Sequence, residues 1–468
     1  MSEHILFLTG RLAEKSLNRV LSQMQPGEFT YQVLNIGISV AGLMTADLIM
    51  RRLPTAGNST RIMVPGRCRG NLEAISEHYG VPVVRGPDEL KDLPQYFGRR
   101  DANKDLSRYD VRIFAEIVDA PQLNIEQILR CAKSYRNDGA DVIDLGCLPE
   151  TPFPHLEEAV LTLKSSGYEI SVDSIEPEEL LRGGKAGADY LLSLKENTLW
   201  VAEEVESTPV LIPDLPGDIA SLERAMKKMA ARGRRFIADS VLDPIHTGFV
   251  DSLARYYELR RRHPEAEIMM GIGNLTELTD ADTTGINALL MGIISELRVT
   301  NVLTTQVSPH ARRAVREADV ARRIMYAARE ASSLPRDFSS QLLTVHARKP
   351  FPDSAEEIAE LAGTIKDPSY RIQVSEQGIH IYNRDGLHIA TDPFALFPHL
   401  DLKNDAAHAF YLGVELARAQ VAWQLAKRYN QDEELDWGCA VERKPEDLTQ
   451  HRAPGTTLEV VKKKAKNK

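Results

Sequence analysis

Gly139-Ala-Asp-Val-Ile-Asp-Leu-Gly146 is the stretch whose reading decides the fold: a glycine closes a helical run, then an aspartate opens a short apolar strand. In the preceding run Ile125, Ile128, Leu129, Ala132 and Tyr135 step by three and four, the spacing of one helix face. Gly187-Ala-Asp189 repeats the same entry further on. Working outward, strands are expected at Val111–Asp119, Asp141–Leu145, Glu169–Asp173, Tyr190–Leu194, Val210–Pro213, Arg235–Ala238, Glu267–Gly271 and Val299–Thr304, with helical spacing between them. Eight strand–helix units over about 230 residues predict a (β/α)8 TIM barrel across residues 110–331. An open, doubly wound parallel sheet is the alternative.

Residues 1–98 read as a separate N-terminal parallel α/β domain. His4–Thr9, Tyr31–Ile36, Arg61–Val64 and Val81–Val84 are short apolar runs, and Leu12–Met24, Val40–Leu53 and Asn71–Tyr79 carry helical spacing between them. Gly10, Gly37 and Gly66 stand at strand ends but do not form G-x-G-x-x-G, so turn chemistry explains them better than a nucleotide site. The polar segment from Gly98 to Tyr109 reads as a linker. Beyond the barrel, RIQVSE (Arg371–Glu376), IHIYNR (Ile379–Arg384) and LHIAT (Leu387–Thr391) alternate with period two, and Asp385-Gly386 marks a tight hairpin. A helix is expected over Asp405–Tyr429, with Phe410, Val414, Ala417, Val421 and Leu425 as its buried stripe. Together these make a small C-terminal α+β module, residues 366–440, followed by a basic tail, residues 441–468, ending Lys462-Lys-Lys-Ala-Lys-Asn-Lys468.

The composition is that of a globular chain, with 43% hydrophobic and 26% charged residues among 468, which excludes wholesale disorder. The net charge of −10 argues against a general nucleic-acid partner. No apolar run is long enough to span a bilayer, and the N-terminus lacks the basic start of a signal peptide. The four cysteines are scattered without a C-x-x-C pair, which predicts neither a disulfide framework nor a thiolate zinc site and points to a reducing cytoplasm.

A barrel keeps its chemistry at the C-terminal ends of its strands. Acids and amides crowd there: Glu116 and Asp119, Asp144, Asp173, Lys195-Glu196-Asn197, Asp214, Asp239 with Asp243-Pro244, and Asn274. Any one of them is readily a helix cap or a solvated loop residue. As a ring they repel, and a metal, a cation or a ligand rich in N–H donors must offset that. The 2-amino group and neighbouring ring N–H of a pterin form a flat donor edge that one carboxylate grips with two parallel hydrogen bonds. A divalent metal such as Mg2+ is the runner-up.

Gly139–Gly146, Ile170-Ser-Val-Asp-Ser174, Gly187-Ala-Asp189 and Leu242-Asp-Pro244, taken in order, resemble the strand motifs of dihydropteroate synthase and of the related pterin-binding methyltransferases. The likeness is nearest to the dihydropteroate synthase-related group of methanogens and methylotrophs, which is associated with tetrahydromethanopterin. It implies a transferase that joins a pterin methylene to an arylamine, with a homodimer as the expected assembly. It also implies that Asp173 and Asp243 bind the pterin, supported by Asn274, Asn197 and Asp144, and that Glu116 and Lys195 are the catalytic candidates. The departures bear on mechanism. Glu116 stands where the synthases offer an asparagine for magnesium, Gly273-Asn274-Leu275 replaces their lysine, and Val299–Thr305 lacks their arginine and histidine. Ser308, His310 and Arg312 are the remaining candidates for holding a phosphate, at the head of an eighth helix. Two other readings follow: a pterin-dependent methyltransferase or carrier linked to a corrinoid, with His380, His388 and His408 in the C-terminal module, or a pterin-binding scaffold without turnover.

Overall fold

The central strands of the N-terminal segment are apolar on both faces because helices cover both. In this computed structural model, which describes residues 3–24, 29–88, 90–98, 105–402, 405–442 and Leu448, the chain divides into two compact units. The first comprises Met1–Asn103, Val345–Asp436 and Glu442–Lys468; the second comprises Lys104–Thr344 and Trp437–Val441. In the first unit β1 (Glu3–Thr9), β2 (Phe29–Asn35), β3 (Arg61–Val64) and β4 (Val83–Arg85) form a parallel sheet in the order β2-β1-β3-β4. Ile5 and Phe7 pack with Leu17, Val20 and Leu21 of helix Arg11–Gln23 on one face. Leu6 and Leu8 pack with Ile49 and Ile75 on the other, the two-residue alternation of a strand buried on both sides.

The second unit is the barrel. Its strands are β5 (Arg112–Ile117), β6 (Val142–Gly146), β7 (Glu169–Asp173), β8 (Tyr190–Leu194), β9 (Thr208–Leu211), β10 (Ile237–Ala238), β11 (Met269–Gly271) and β12 (Asn301–Thr305). All pair in parallel in the order β10-β9-β8-β7-β6-β5-β12-β11, and a parallel bridge between Ala238 and Ile268 joins the two ends of the sheet. The open doubly wound alternative is therefore excluded. Outward residues such as Ile113, Ala115, Ile143, Leu145, Ile170 and Val172 join one core with the surrounding helices. Inward residues Phe114, Val142, Leu192, Val210, Ile237 and Met269 fill the cylinder.

The Gly-Ala-Asp motif is structural. Gly139 closes helix Ile125–Asp138 at φ +108°, a left-handed conformation that favours glycine, and an added Cβ would lie 2.5 Å from the Asp319 carboxyl carbon. Asp141 then accepts the Ile113 N–H at 2.8 Å, and Asp189 does the same for Ile170 at 2.9 Å, so each aspartate satisfies a strand-entry donor at the N-terminal end of the barrel. Arg322, fully buried, binds Asp141, Asp319 and the Gly139 and Val111 carbonyls at that end.

The first unit also holds an antiparallel meander, β13 (Arg371–Ser375), β14 (Gly378–Asn383) and β15 (Gly386–Ala390), packed against helix Ala406–Gln424. The buried stripe of that helix is Leu412, Glu415, Leu416, Ala419 and Ala422, and Phe410 is 76% exposed, which corrects the expected face. The reason is Glu415: it reads as a surface residue but is buried, accepting hydrogen bonds from Tyr429 at 2.7 Å and Arg418 at 2.8 Å. Its apparent polarity rotated the expected stripe. The basic tail Lys462–Lys468 lies outside the described residues.

Candidate functional site

Strand alternation builds the site. Phe114, Val142 and Ile237 point into the cylinder, so the residues two further on, Glu116, Asp144 and Asp239, point inward as well, one layer nearer the C-terminal mouth. Ser171 and Asp173 take the same face of β7; the Ser171 hydroxyl donates to Oδ1 of Asp144. Carboxylate oxygens of Glu116, Asp144 and Asp173 lie within 4.8 Å of one another. Gly146 makes room for this: a Cβ there would sit 2.6 Å from Oε1 of Glu116.

Asp144 is fully buried, and its Oδ2 has no hydrogen-bond partner. Among the described residues no basic side chain pairs with Glu116, Asp144, Asp173 or Asp239. Burial pushes the Glu116 carboxyl up to about 7. Burial, then the charges of Glu116 and Asp239, push Asp173 up to about 8. Burial, then Asp173 and Glu116, raise Asp144 well above the ordinary carboxylate range. Asp239 rises to about 6 through burial, held back by hydrogen bonds from Tyr256 and from the Val241 N–H. Near neutral pH the cluster therefore carries protons, and it presents both O–H donors and carboxylate acceptors.

Of the two acids that the sequence offers after β10, Asp239 is the one on the inward face. Tyr256 donates to its Oδ1 at 2.5 Å, and the Val241 N–H donates to the same atom at 2.7 Å. Val241 has φ +67°, a strained conformation for a β-branched residue, and it turns the chain immediately after the carboxylate. Asp243 instead forms an ion pair with Arg255 at 2.5 Å. Glu116 and Asp239 both act to raise the Asp173 carboxyl.

Lys195 precedes the turn Glu196–Thr198 and its N–H donates to Thr198 Oγ1 at 2.8 Å; Asn197 is exposed on that turn. Neither shares a hydrogen bond or ion pair with the cluster among the described residues. Asn274, exposed in the short helix Gly273–Thr276, donates to the Leu242 carbonyl at 2.7 Å and so ties down the loop that carries Asp239. At the end of β12, Glu277 accepts the Val307 and Ser308 N–H groups, each at 2.8 Å, and the Thr305 hydroxyl at 2.9 Å. Burial works to raise the Glu277 carboxyl, but these hydrogen bonds outweigh it and hold the group below the ordinary value. A carboxylate thus already occupies the donors expected to receive a phosphate. His310 bonds the Thr276 carbonyl at 3.1 Å, Arg312 is exposed, and the helix itself begins at Ala314 rather than at Ser308.

In the first unit His380 is buried with a 2.7 Å hydrogen bond to Ser375, His388 stacks on His399 at 4.0 Å, and His408 lies 6.5 Å from the Tyr370 ring.

A family of unknown function (DUF6513) matches residues 3–88. An uncharacterized protein of Methanocaldococcus jannaschii, MJ0107, is 25% identical over 528 aligned residues, covering 92% of this chain and 98% of that one. Among solved structures, dihydropteroate synthase of Yersinia pestis with a pterine–sulfa conjugate is 18% identical with a TM-score of 0.38, covering 48% of this chain and 95% of that chain. The 7,8-dihydropteroate synthase of Vibrio fischeri is 15% identical with a TM-score of 0.39, covering 48% and 94%.

Proposed function

We propose that the barrel binds a reduced pterin of the folate or tetrahydromethanopterin type, its donor edge held by Asp173 and Asp239. The observation that carries this reading is the ring of inward carboxyls with raised proton affinity, which no basic side chain among the described residues pairs with. An N–H-rich heterocycle satisfies such a ring without a full positive charge: a carboxylate takes two parallel N–H bonds, and a protonated neighbour donates to a ring acceptor. Glu116, Asp144 and Asp173 also supply the hard oxygens that Mg2+ takes, with the unpartnered Asp144 Oδ2 among them; a bound ion would supply charge neutralisation there. The chain's own contribution is to hold the ring, exclude water and keep a proton on Asp173 or Glu116 within reach of it.

Condensation with an arylamine, the activity that the resemblance implies, requires diphosphate to leave, and that charge needs cations or free N–H donors. The bonds from Val307 and Ser308 to Glu277 favour a second reading: transfer or carriage of a one-carbon group on the pterin with no diphosphate expelled. Calorimetric titration of the full chain with 6-methyltetrahydropterin tests the first claim. Binding that Asp173→Asn and Asp239→Asn each weaken about a hundredfold, and Asp243→Asn leaves within about threefold, is the expected result; equal affinity in all three variants, or no binding, would overturn it. Incubation with hydroxymethyl-dihydropterin diphosphate and an aminobenzoate separates the activities: amine-dependent diphosphate release would reject the second reading.

A further inference from the structure

The first unit carries a cavity that the barrel chemistry does not use. It has a volume of about 860 Å3 and lies at the C-terminal ends of β1, β3 and β4, where Thr9, Val64 and Gly86 line it. The sheet order β2-β1-β3-β4 makes the gap between β1 and β3 the place where the chain reverses its direction of winding. In open α/β sheets, the crevice outside the strand ends at such a reversal is where ligands are held. The helix Ala355–Ala362 adds Ile358 and Leu361 to the lining.

The lining is mainly apolar, with Leu12, Val40, Met63 and Ile358 among it, and a few charged groups stand at the edge. Most of those charges are already paired. Lys15 binds Glu360, Arg67 binds Glu433 and Arg371 binds Asp367 at 2.8 Å. Arg11 and Lys366 differ: both line the cavity and are exposed, and neither has an acidic partner among the described residues. Arg11 reaches only Ser39 Oγ, at 3.5 Å. The first N–H groups of helix Arg11–Gln23 are taken by the Ile38 and Ser39 carbonyls, at 2.7 and 3.1 Å. An anion in this crevice is therefore met by side-chain cations rather than by a helix end, consistent with the missing G-x-G-x-x-G.

We propose that this crevice binds a nucleoside phosphate, with its base and sugar against Leu12, Met63 and Ile358 and its phosphate between Arg11 and Lys366. The exposed Asp88 carboxylate, also on the lining, is the acceptor on hand for sugar hydroxyls. The size suits the class, since sites for such ligands span roughly 300–1,000 Å3.

Calorimetric titration of the full chain with ATP, NAD+ and FMN, and with inorganic phosphate alone, tests the proposal. At least one nucleotide is expected to bind saturably, at least about tenfold tighter than phosphate. The double variant Arg11→Gln with Lys366→Gln should weaken that binding about tenfold or more. Gly42 lines the cavity and has nothing within 4 Å of an added Cβ, so Gly42→Trp should fill the crevice and abolish binding without disturbing the fold. Asp173→Asn, in the barrel, should leave it unchanged. No saturable binding of any nucleotide at about 1 mM, phosphate binding as tightly as the nucleotide, or full affinity in either crevice variant would each overturn the proposal.

Discussion

Replacing Asp173 by asparagine should stabilise the unliganded protein at pH 8 while leaving it almost unchanged at pH 5. The folded-state pKa of Asp173 is raised from 3.8 to about 8 by burial and by Glu116 and Asp239. Folding therefore holds a proton that the unfolded chain would release between those values, so the Asp173 contribution to stability is greatest at low pH, falls as pH climbs through this window and levels off above it. At about 1.4 kcal/mol per unit, the full shift amounts to roughly 6 kcal/mol, an upper bound because Glu116 and Asp144 share the same protons. Asparagine keeps the shape and cannot ionise, so about 2–3 kcal/mol of that strain should be relieved at pH 8. For a unit of this size each kcal/mol moves the melting temperature by about 2–4 °C, so Asp173→Asn should melt roughly 4–12 °C higher at pH 8 and within about 2 °C at pH 5. Differential scanning calorimetry at pH 5, 6, 7 and 8 measures both. A variant less stable than the parent at pH 8, or a parent whose melting temperature is flat from pH 5 to pH 8, would refute the reasoning.

Three further outcomes are expected. Gly139→Ala should destabilise the barrel by about 2 kcal/mol or more in urea unfolding, because φ is +108° and the new Cβ would meet the Asp319 carboxyl; Gly187→Ala, at φ +100° with nothing within 4 Å, should cost only about 1 kcal/mol. Arg322→Met should cost about 3–5 kcal/mol in the same assay, since Asp319 and Asp141 lose the guanidinium that offsets them, yet pterin affinity should hold because this clasp lies at the opposite end of the strands. Glu277→Ala should free the Val307 and Ser308 N–H groups and add an inorganic phosphate site in the barrel, read by calorimetry as a binding event that persists with Arg11→Gln and Lys366→Gln.

The barrel was legible because its cues are local. Gly139 and Gly187 leave helices in conformations that favour glycine, and Asp141 and Asp189 meet strand-entry donors, so both motifs follow from the backbone's own needs. The convergence of Glu116, Asp144 and Asp173 was legible because strand ends are easy to place and alternation does the rest. Asp239 and Asp243 mark the limit of such reading: both follow β10, and which of them faces inward depends on the facing of Ile237, a property of the closed cylinder. Glu277 was invisible for a related reason, since its partners Val307 and Ser308 lie thirty residues away on the next loop. Glu415 misled because a buried acid is indistinguishable in sequence from a solvated one until Tyr429 is brought beside it.

The most direct test is the structure of the full chain soaked with 7,8-dihydropterin, reading the distances from the ring's 2-amino and ring N–H nitrogens to the surrounding carboxylates. The expected result is one or both nitrogens about 2.7–3.1 Å from oxygens of Asp173 or Asp239, with Asp243 still paired to Arg255. A pterin seated on Asp243 with that ion pair broken, or a ring bound outside the barrel mouth, would contradict it.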